Sequence, residues 1–201
     1  MVLQRGGTKI LMVLAMCKEP MRACEIAEVT GFSLQRVAGY IRSFKSRGYI
    51  KKTGNGYVLT EQGIREVLPS IEPEVRRRLR DQKIPLIVRV RKTKMISIRN
   101  VEKLADLIPL IPSSEINEVV KYKVLRWVIE VLEDPVLAFR LKKCLNITRI
   151  HSDILKSSLK EVLYTRLNEL KELSREYGEM LNGKIKTEHR YFDTGIPERR
   201  V

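Results

Sequence analysis

Between Ser33 and Arg47 the chain sets hydrogen-bonding and apolar side chains at helical spacing. Gln35, Arg36, Tyr40, Arg42, Ser43 and Arg47 can all donate hydrogen bonds, and the three arginines carry permanent positive charge. Leu34, Val37, Ile41 and Phe44 recur at intervals of three and four, so they form a separate stripe. An inward apolar stripe backed by an outward basic, polar face is what a helix that reads duplex DNA requires. Other chemistries leave no trace. There is no glycine-rich phosphate loop ending in Lys-Ser or Lys-Thr, and no Gly-x-Ser-x-Gly. His151 and His189 lie in no catalytic motif, and capping accounts for the paired acids Glu133-Asp134 at a helix junction. The chain is therefore read as a non-enzyme. Cys17, Cys24 and Cys144 form no Cys-x-x-Cys, so no zinc site of standard spacing, no other metal and no cofactor is expected. Nothing demands a disulfide, which fits a reducing cytoplasm.

The distribution of charge sharpens this reading. Lys and Arg total 39 against 24 acids, a formal net of +15. Residues 1–68 hold 11 basic and 5 acidic groups, residues 69–100 hold 10 and 3, and the last 101 residues hold 18 and 16. Nearly all the excess lies in the first half, whereas charge serving only solubility would be spread more evenly. A polyanionic partner follows, and nucleic acid is the commonest. No run approaches the ~18 apolar residues of a membrane span. Ile10–Cys17, behind Arg5 and Lys9, has the outline of a lipoprotein signal ending in Leu14-Ala15-Met16-Cys17. The run is short, Met16 stands where a small residue is expected, and the same residues are needed as a helix. The expected location is cytoplasmic and nucleoid-associated. Abundant Lys, Arg, Glu and Ile with 4 Gln is a composition of heat-loving, archaeal-like proteins.

The elements that must position the 33–47 helix can be read in order. Residues 8–19 predict a helix capped by Thr8 and ended by Pro20. Met21-Arg22 suits a short strand. Residues 23–30 predict a helix with Ile26, Ala27 and Val29 inward, and Gly31 supplies a sharp turn. Ser33 is the N-cap of the next helix. Residues 49–60 predict a β-hairpin around Gly54-Asn55-Gly56, and Thr60 caps a helix through Leu68 with Ile64, Val67 and Leu68 inward.

That order resembles the winged helix-turn-helix superfamily, the MarR- and PadR-like regulators in particular, over the first third of the chain. The residues that carry the resemblance are the helix pair 23–47, Arg47-Gly48-Tyr49-Ile50 leading into the hairpin, and Leu59-Thr60-Glu61-Gln62-Gly63 after it. The resemblance implies a recognition helix from Ser33 to Arg47, with Ser33, Gln35, Arg36 and Tyr40 facing the major groove. It implies a wing with its tip at Gly54–Gly56, from which Lys51, Lys52 and Asn55 approach the backbone or minor groove. Ala38 and Gly39 depart from the pattern, standing where relatives often have polar or basic side chains. Fewer groups are then left to hydrogen-bond base edges, and Gly39 costs the helix about 1 kcal/mol against Ala.

Residues 69–83 predict a connecting helix begun at Ser70 or Glu72, with Pro73 in its first turn. Arg76, Arg77, Arg78 and Arg80 wrap around it, leaving Ile71, Val75 and Leu79 as its buried face. Residues 84–99 alternate in part: Leu86, Val88 and Val90 share one side, with Arg89 and Arg91 opposite. Arg91-Lys92-Thr93-Lys94 turns the chain into Met95–Ile98. Arg76, Arg77, Arg89, Arg91, Lys92 and Lys94 are candidate phosphate contacts. A solvated edge strand kept soluble by its charges is the alternative.

The second half predicts helices. Asn100 caps one through Ile108, and Pro109 and Pro112 bracket a break. Ser113 or Ser114 caps another to about Glu133, with Ile116, Val119, Val120, Val124, Trp127, Val128, Val131 and Leu132 apolar. Asp134-Pro135 opens a third to about Leu145. Ser152 opens the longest, to about Asn182, with Gly183 as C-cap. Its stripe is Leu155, Leu159, Leu163, Leu167, Leu170, Tyr177 and Leu181. Residues 184–201 lose the pattern and read as a mobile tail.

The expectation is a mainly α (α+β) fold: a winged helix-turn-helix over 1–68, a basic connector over 69–100, a helical dimerisation or partner-binding domain over 101–183, and the tail 184–201. The leading functional reading is a transcriptional regulator that binds double-stranded DNA as a homodimer through its C-terminal helices. One alternative is an architectural, replication or segregation factor with little sequence preference. Another is a winged-helix module that binds protein or RNA.

Overall fold

The computed structural model describes residues 5–90, 94–147 and 152–183. It is mostly helical with two small antiparallel sheets, a mainly α (α+β) fold. The first elements are α1 (Arg5–Met16), α2 (Ala23–Thr30), α3 (Leu34–Ser46), β1 (Ile50–Thr53), β2 (Gly56–Leu59) and α4 (Glu61–Leu79). β3 (Leu86–Val90), β4 (Lys94–Ile98) and α5 (Val101–Leu107) come next. A helical rod over 116–132 follows, and then α8 (Pro135–Ile147) and α9 (Ser152–Leu181). β1 and β2 pair from Ile50↔Leu59 to Thr53↔Gly56, and β3 and β4 from Leu86↔Ile98 to Val90↔Lys94. Met21 bridges to Tyr57 and so adds a third short edge beside β2.

Many boundaries follow local chemistry. Gly31 takes φ 72°, the left-handed conformation that lets α2 stop and α3 turn away. The side chains of Ser33, Thr60, Asn100 and Asp134 each accept a backbone N–H at the start of their helices, from Arg36, Gly63, Lys103 and Leu137 respectively.

Other boundaries differ from expectation. α1 begins at Arg5, not at a Thr8 cap, and ends at Met16, before Pro20. Its first turn contains Gly6 and Gly7 because the aromatic side chains of α3 crowd it. A Cβ on Gly6 would stand 2.7 Å from the Tyr40 hydroxyl, and one on Gly7 3.1 Å from the Phe44 ring. Ile10 to Cys17 are buried except Met12, which is half-buried, so the signal-like run is core. α4 does not end at Leu68 but runs unbroken through Pro69 and Pro73. Both prolines are exposed and lie one turn apart, so the two missing i→i−4 bonds fall on the solvent side, where water replaces them. Ile64, Val67, Leu68, Ile71 and Val75 bury the other face along the whole helix.

The rod over 116–132 alternates between α6 (Ile116–Glu118), a π-wound segment Val119–Val124, α7 (Leu125–Trp127) and a second π-wound segment Val128–Leu132. No Ser113 or Ser114 cap starts it; Glu115 occupies the cap position without a side-chain bond. Valines at 119, 120, 124, 128 and 131 all fall within the two π-wound segments.

Two hydrophobic cores result. One gathers α1, α2, α3, the first hairpin and α4; the other gathers β3, β4, α5, the rod and most of α8. α9 belongs to both: Leu155, Leu159, Leu163 and Leu167 enter the second core, and Leu170, Leu173 and Tyr177 the first. Its apolar stripe, the motive for a homodimer, is buried within the chain, and only Leu181 of that stripe stays exposed. At 1.5 Å per residue, α9 is a brace about 45 Å long rather than a free seam.

Charged groups lock the brace in place. The Arg166 guanidinium, fully buried, donates to both oxygens of buried Asp134 at 2.8 and 3.1 Å, to Glu169 at 3.0 Å and to the Met16 carbonyl at 2.7 Å. Tyr177 donates to the Ala15 carbonyl at 2.5 Å. The last carbonyls of α1 are thus capped by α9. Burial alone would push the Asp134 carboxyl up, but Arg166 more than offsets this and holds it below the usual carboxylate range.

Candidate nucleic-acid interface

α3 rests on α2 and β1, with Val37, Ile41 and Phe44 buried beneath it. Leu34, expected in that stripe, is 55% exposed at the first turn. The remaining positions divide into two rows. Gln35, Ala38, Gly39, Arg42, Lys45 and Ser46 are all exposed, at spacings of three and four. Arg36, Tyr40 and Phe44 form the neighbouring row, which leans toward α1. Tyr40 stacks on Phe44 with ring centroids 5.8 Å apart, and the Arg36 guanidinium lies 4.3 Å over the Phe32 ring. Tyr40, expected to face a major groove, is half-buried with its hydroxyl over Gly6. Its ring and hydroxyl are drawn inward because α1 offers two residues without side chains. Arg36 remains exposed.

The outer row is smooth in the middle and basic toward its C-terminal end. Among the described residues no atom lies within 4 Å of a Cβ built on Gly39, so no packing among them calls for glycine there. Arg47 follows as the C-cap residue, and Gly48 and Tyr49 lead directly into β1. The hairpin therefore stands beside the basic end of α3. Lys52 and Asn55 are exposed on it, while Lys51 is half-buried. Among the described residues, no carboxylate forms an ion pair with Arg36, Arg42, Lys45, Arg47 or Lys52. Ser33 and Ser43 play local parts: the Ser33 hydroxyl caps α3, and Ser43 is half-buried. Lys45 was missed as a candidate, although its spacing from Arg42 and Gln35 places it on the outer row.

The connector is a different kind of surface. Arg76 pairs with Glu72. Arg77 bonds Glu74 and Glu133 at 3.2 and 2.9 Å and donates to the Val131 and Leu132 carbonyls. Arg78 is buried between Glu74 and the Glu133 carbonyl, at 3.0 and 3.1 Å. Arg76, expected to touch phosphates, is thus tied within its own helix, and Arg77, expected to do the same, joins Arg78 in holding the end of α4 to the end of the rod. Glu133 needs that clamp: its φ of 52° is a left-handed conformation that costs a non-glycine residue about 1–2 kcal/mol.

Arg89 and Lys94 are exposed on β3 and β4, but that hairpin packs on the second core. Arg91 and Lys92, like the tail 184–201, lie outside the described residues. The fourteen candidates among the described residues therefore do not form one belt. They separate into the α3–hairpin group, the tied arginines of α4, and the β3–β4 pair.

Acidic groups near α2 also serve structure. Glu25 accepts from the Arg22 backbone N–H at 3.0 Å, from the Arg22 guanidinium at 3.1 Å and from Lys143 at 3.2 Å. Burial pushes its carboxyl up, but these three donors prevail and bring it down to about 2. Cys17 is buried in the first core, and burial pushes its thiol up. Among the described residues, no group of three or more His, Cys, Asp or Glu side chains could hold a metal, and no helix is long and apolar enough to cross a membrane.

No family model matches the chain, and neither a curated protein nor a solved structure does.

Proposed function

We propose that the protein binds duplex DNA as a winged helix-turn-helix module, with α3 in the major groove and the first hairpin along the backbone, and that it serves as a transcriptional regulator. The observation that carries this reading is the set of exposed cations on α3, its C-cap and β1, namely Arg36, Arg42, Lys45, Arg47 and Lys52, which have no acidic partner among the described residues. Such groups can neutralise phosphates and release counterions. Gln35 and Arg42 are the outer-row side chains able to reach base edges. The α9 stripe is buried within the chain except Leu181, so the proposal does not rest on a homodimer formed through it.

A second reading, an architectural factor with little sequence preference, is favoured by Ala38 and Gly39 at the centre of the outer row, where nothing can hydrogen-bond a base. Competition binding separates the two. A regulator prefers one site over random duplex by ~10³-fold or more, whereas a backbone binder shows no such preference. Unchanged duplex affinity in the Arg42→Ala, Arg47→Ala double variant would remove both.

A further inference from the structure

A cleft of about 740 Å³ opens where the two cores meet, outside the α3 surface. α1 and the end of α2 form one wall; the end of the rod and α8 form the other. Met12, Val29, Ile129 and Phe139 give it a largely apolar lining. A volume in this range suits a small organic ligand.

The charges on the walls are not equivalent. Glu74 and Glu133 are already neutralised by Arg77 and Arg78, at 2.9 to 3.2 Å. Lys9 donates to the Thr30 carbonyl at 2.8 Å, a neutral acceptor, and keeps its charge. Lys142 and Glu28 are exposed at the cleft and, among the described residues, neither has a hydrogen-bond or ion-pair partner. Two uncompensated cations thus face one uncompensated acid. Lys142 is the cation whose ammonium has no bond to give up on meeting a ligand.

We infer that this cleft is a binding site for a small, mainly apolar molecule carrying one carboxylate, with the chain against Met12, Val29 and Phe139 and the carboxylate on Lys142. The inference stands apart from DNA binding, because no α3 residue lines the cleft.

Titration calorimetry on the full chain tests it, with decanoate as probe and decylamine as the same chain bearing the opposite charge. Decanoate should bind one to one and at least about ten-fold more tightly than decylamine. Lys142→Glu should abolish that preference. Ala138→Trp should block both probes by filling the cleft from α8. Val29→Trp, on the half-buried α2 wall, should do the same and serves if the α8 variant does not fold. Absence of saturable decanoate binding up to about 1 mM would overturn the inference. So would equal affinity for the two probes, or decanoate binding that survives Val29→Trp unchanged.

Discussion

α3 and the end of α4 are both arginine-rich helical faces, yet their arginines do opposite things. On α4 the acids that neutralise Arg76, Arg77 and Arg78 are Glu72 and Glu74, three or four residues earlier on the same helix, joined by Glu133 from the rod. α3 contains no acid from Leu34 to Ser46, and its cations stay unpaired. A count of charge treats the two segments alike. What separates them is whether an acid sits within one helical turn. Of the ten cations of residues 69–100, Arg76, Arg77 and Arg78 are therefore held by acids, whereas Arg36, Arg42 and Lys45 of α3 face outward.

The contrast can be broken by substitution. Removing a tied arginine, or its acid, should cost stability. The extreme case is Asp134→Ala, which leaves the buried Arg166 guanidinium with Glu169, already shared with Arg140, as its remaining carboxylate partner. A loss of about 3–5 kcal/mol in urea unfolding is expected, because an uncompensated charge stays inside. A loss below 1 kcal/mol would mean that Arg166 escapes to solvent. Charge reversal of free cations should act on binding instead. Arg42→Glu with Arg47→Glu should weaken duplex binding at least 100-fold by fluorescence anisotropy, about 2.7 kcal/mol, while unfolding midpoints stay within the ~0.5 kcal/mol typical of surface changes.

Acid sharpens the same comparison. Asp134 and Glu25 both titrate below their usual range when folded, Glu25 at about 2. A depressed carboxylate stabilises the fold above its unfolded pKa, near 4.5 for Glu25, and that contribution disappears as pH falls through the folded value. Unfolding free energy should therefore hold steady from pH 7 to about 5 and drop progressively below about 4.5. Glu25→Gln should flatten part of that drop, and an unchanged pH profile would show that Arg22 and Lys143 do not hold the carboxylate. The smallest effect belongs to Gly39→Ala. It should stabilise α3 by about 0.5–1 kcal/mol, since none of the described residues crowds the position. If DNA approaches the smooth centre of the outer row, the same variant binds duplex less tightly while being more stable. Unchanged binding would place the contact elsewhere on α3.

Much of the fold was legible where a single residue does a local job. Ser33, Asn100 and Asp134-Pro135 start helices as their side chains predict, and Gly31 turns the chain. What sequence reading lost was decided by distant partners. α4 survives Pro69 and Pro73 because its other face is buried along its length in the first core, a fact that neither proline carries. Gly6 and Gly7 sit in a helix because Tyr40 and Phe44, more than thirty residues on, need the room. The α9 stripe is visible in sequence, but whether it meets a second copy or its own chain is settled by Arg166 and Tyr177 reaching α1. In the candidate site, the basic face of α3 was legible, whereas the inward turn of Tyr40 depended on those same glycines.

The salt dependence of duplex affinity tests the central claim most directly. For the wild-type chain, log K against log salt concentration should fall with a slope of about −0.9 per phosphate neutralised. Arg42→Ala with Arg47→Ala should make that slope shallower by at least about one, whereas Arg76→Ala should leave it unchanged. A slope that responds to Arg76 and ignores Arg42 and Arg47, or a wild-type affinity insensitive to salt, would contradict the assignment of α3 as the DNA-facing element.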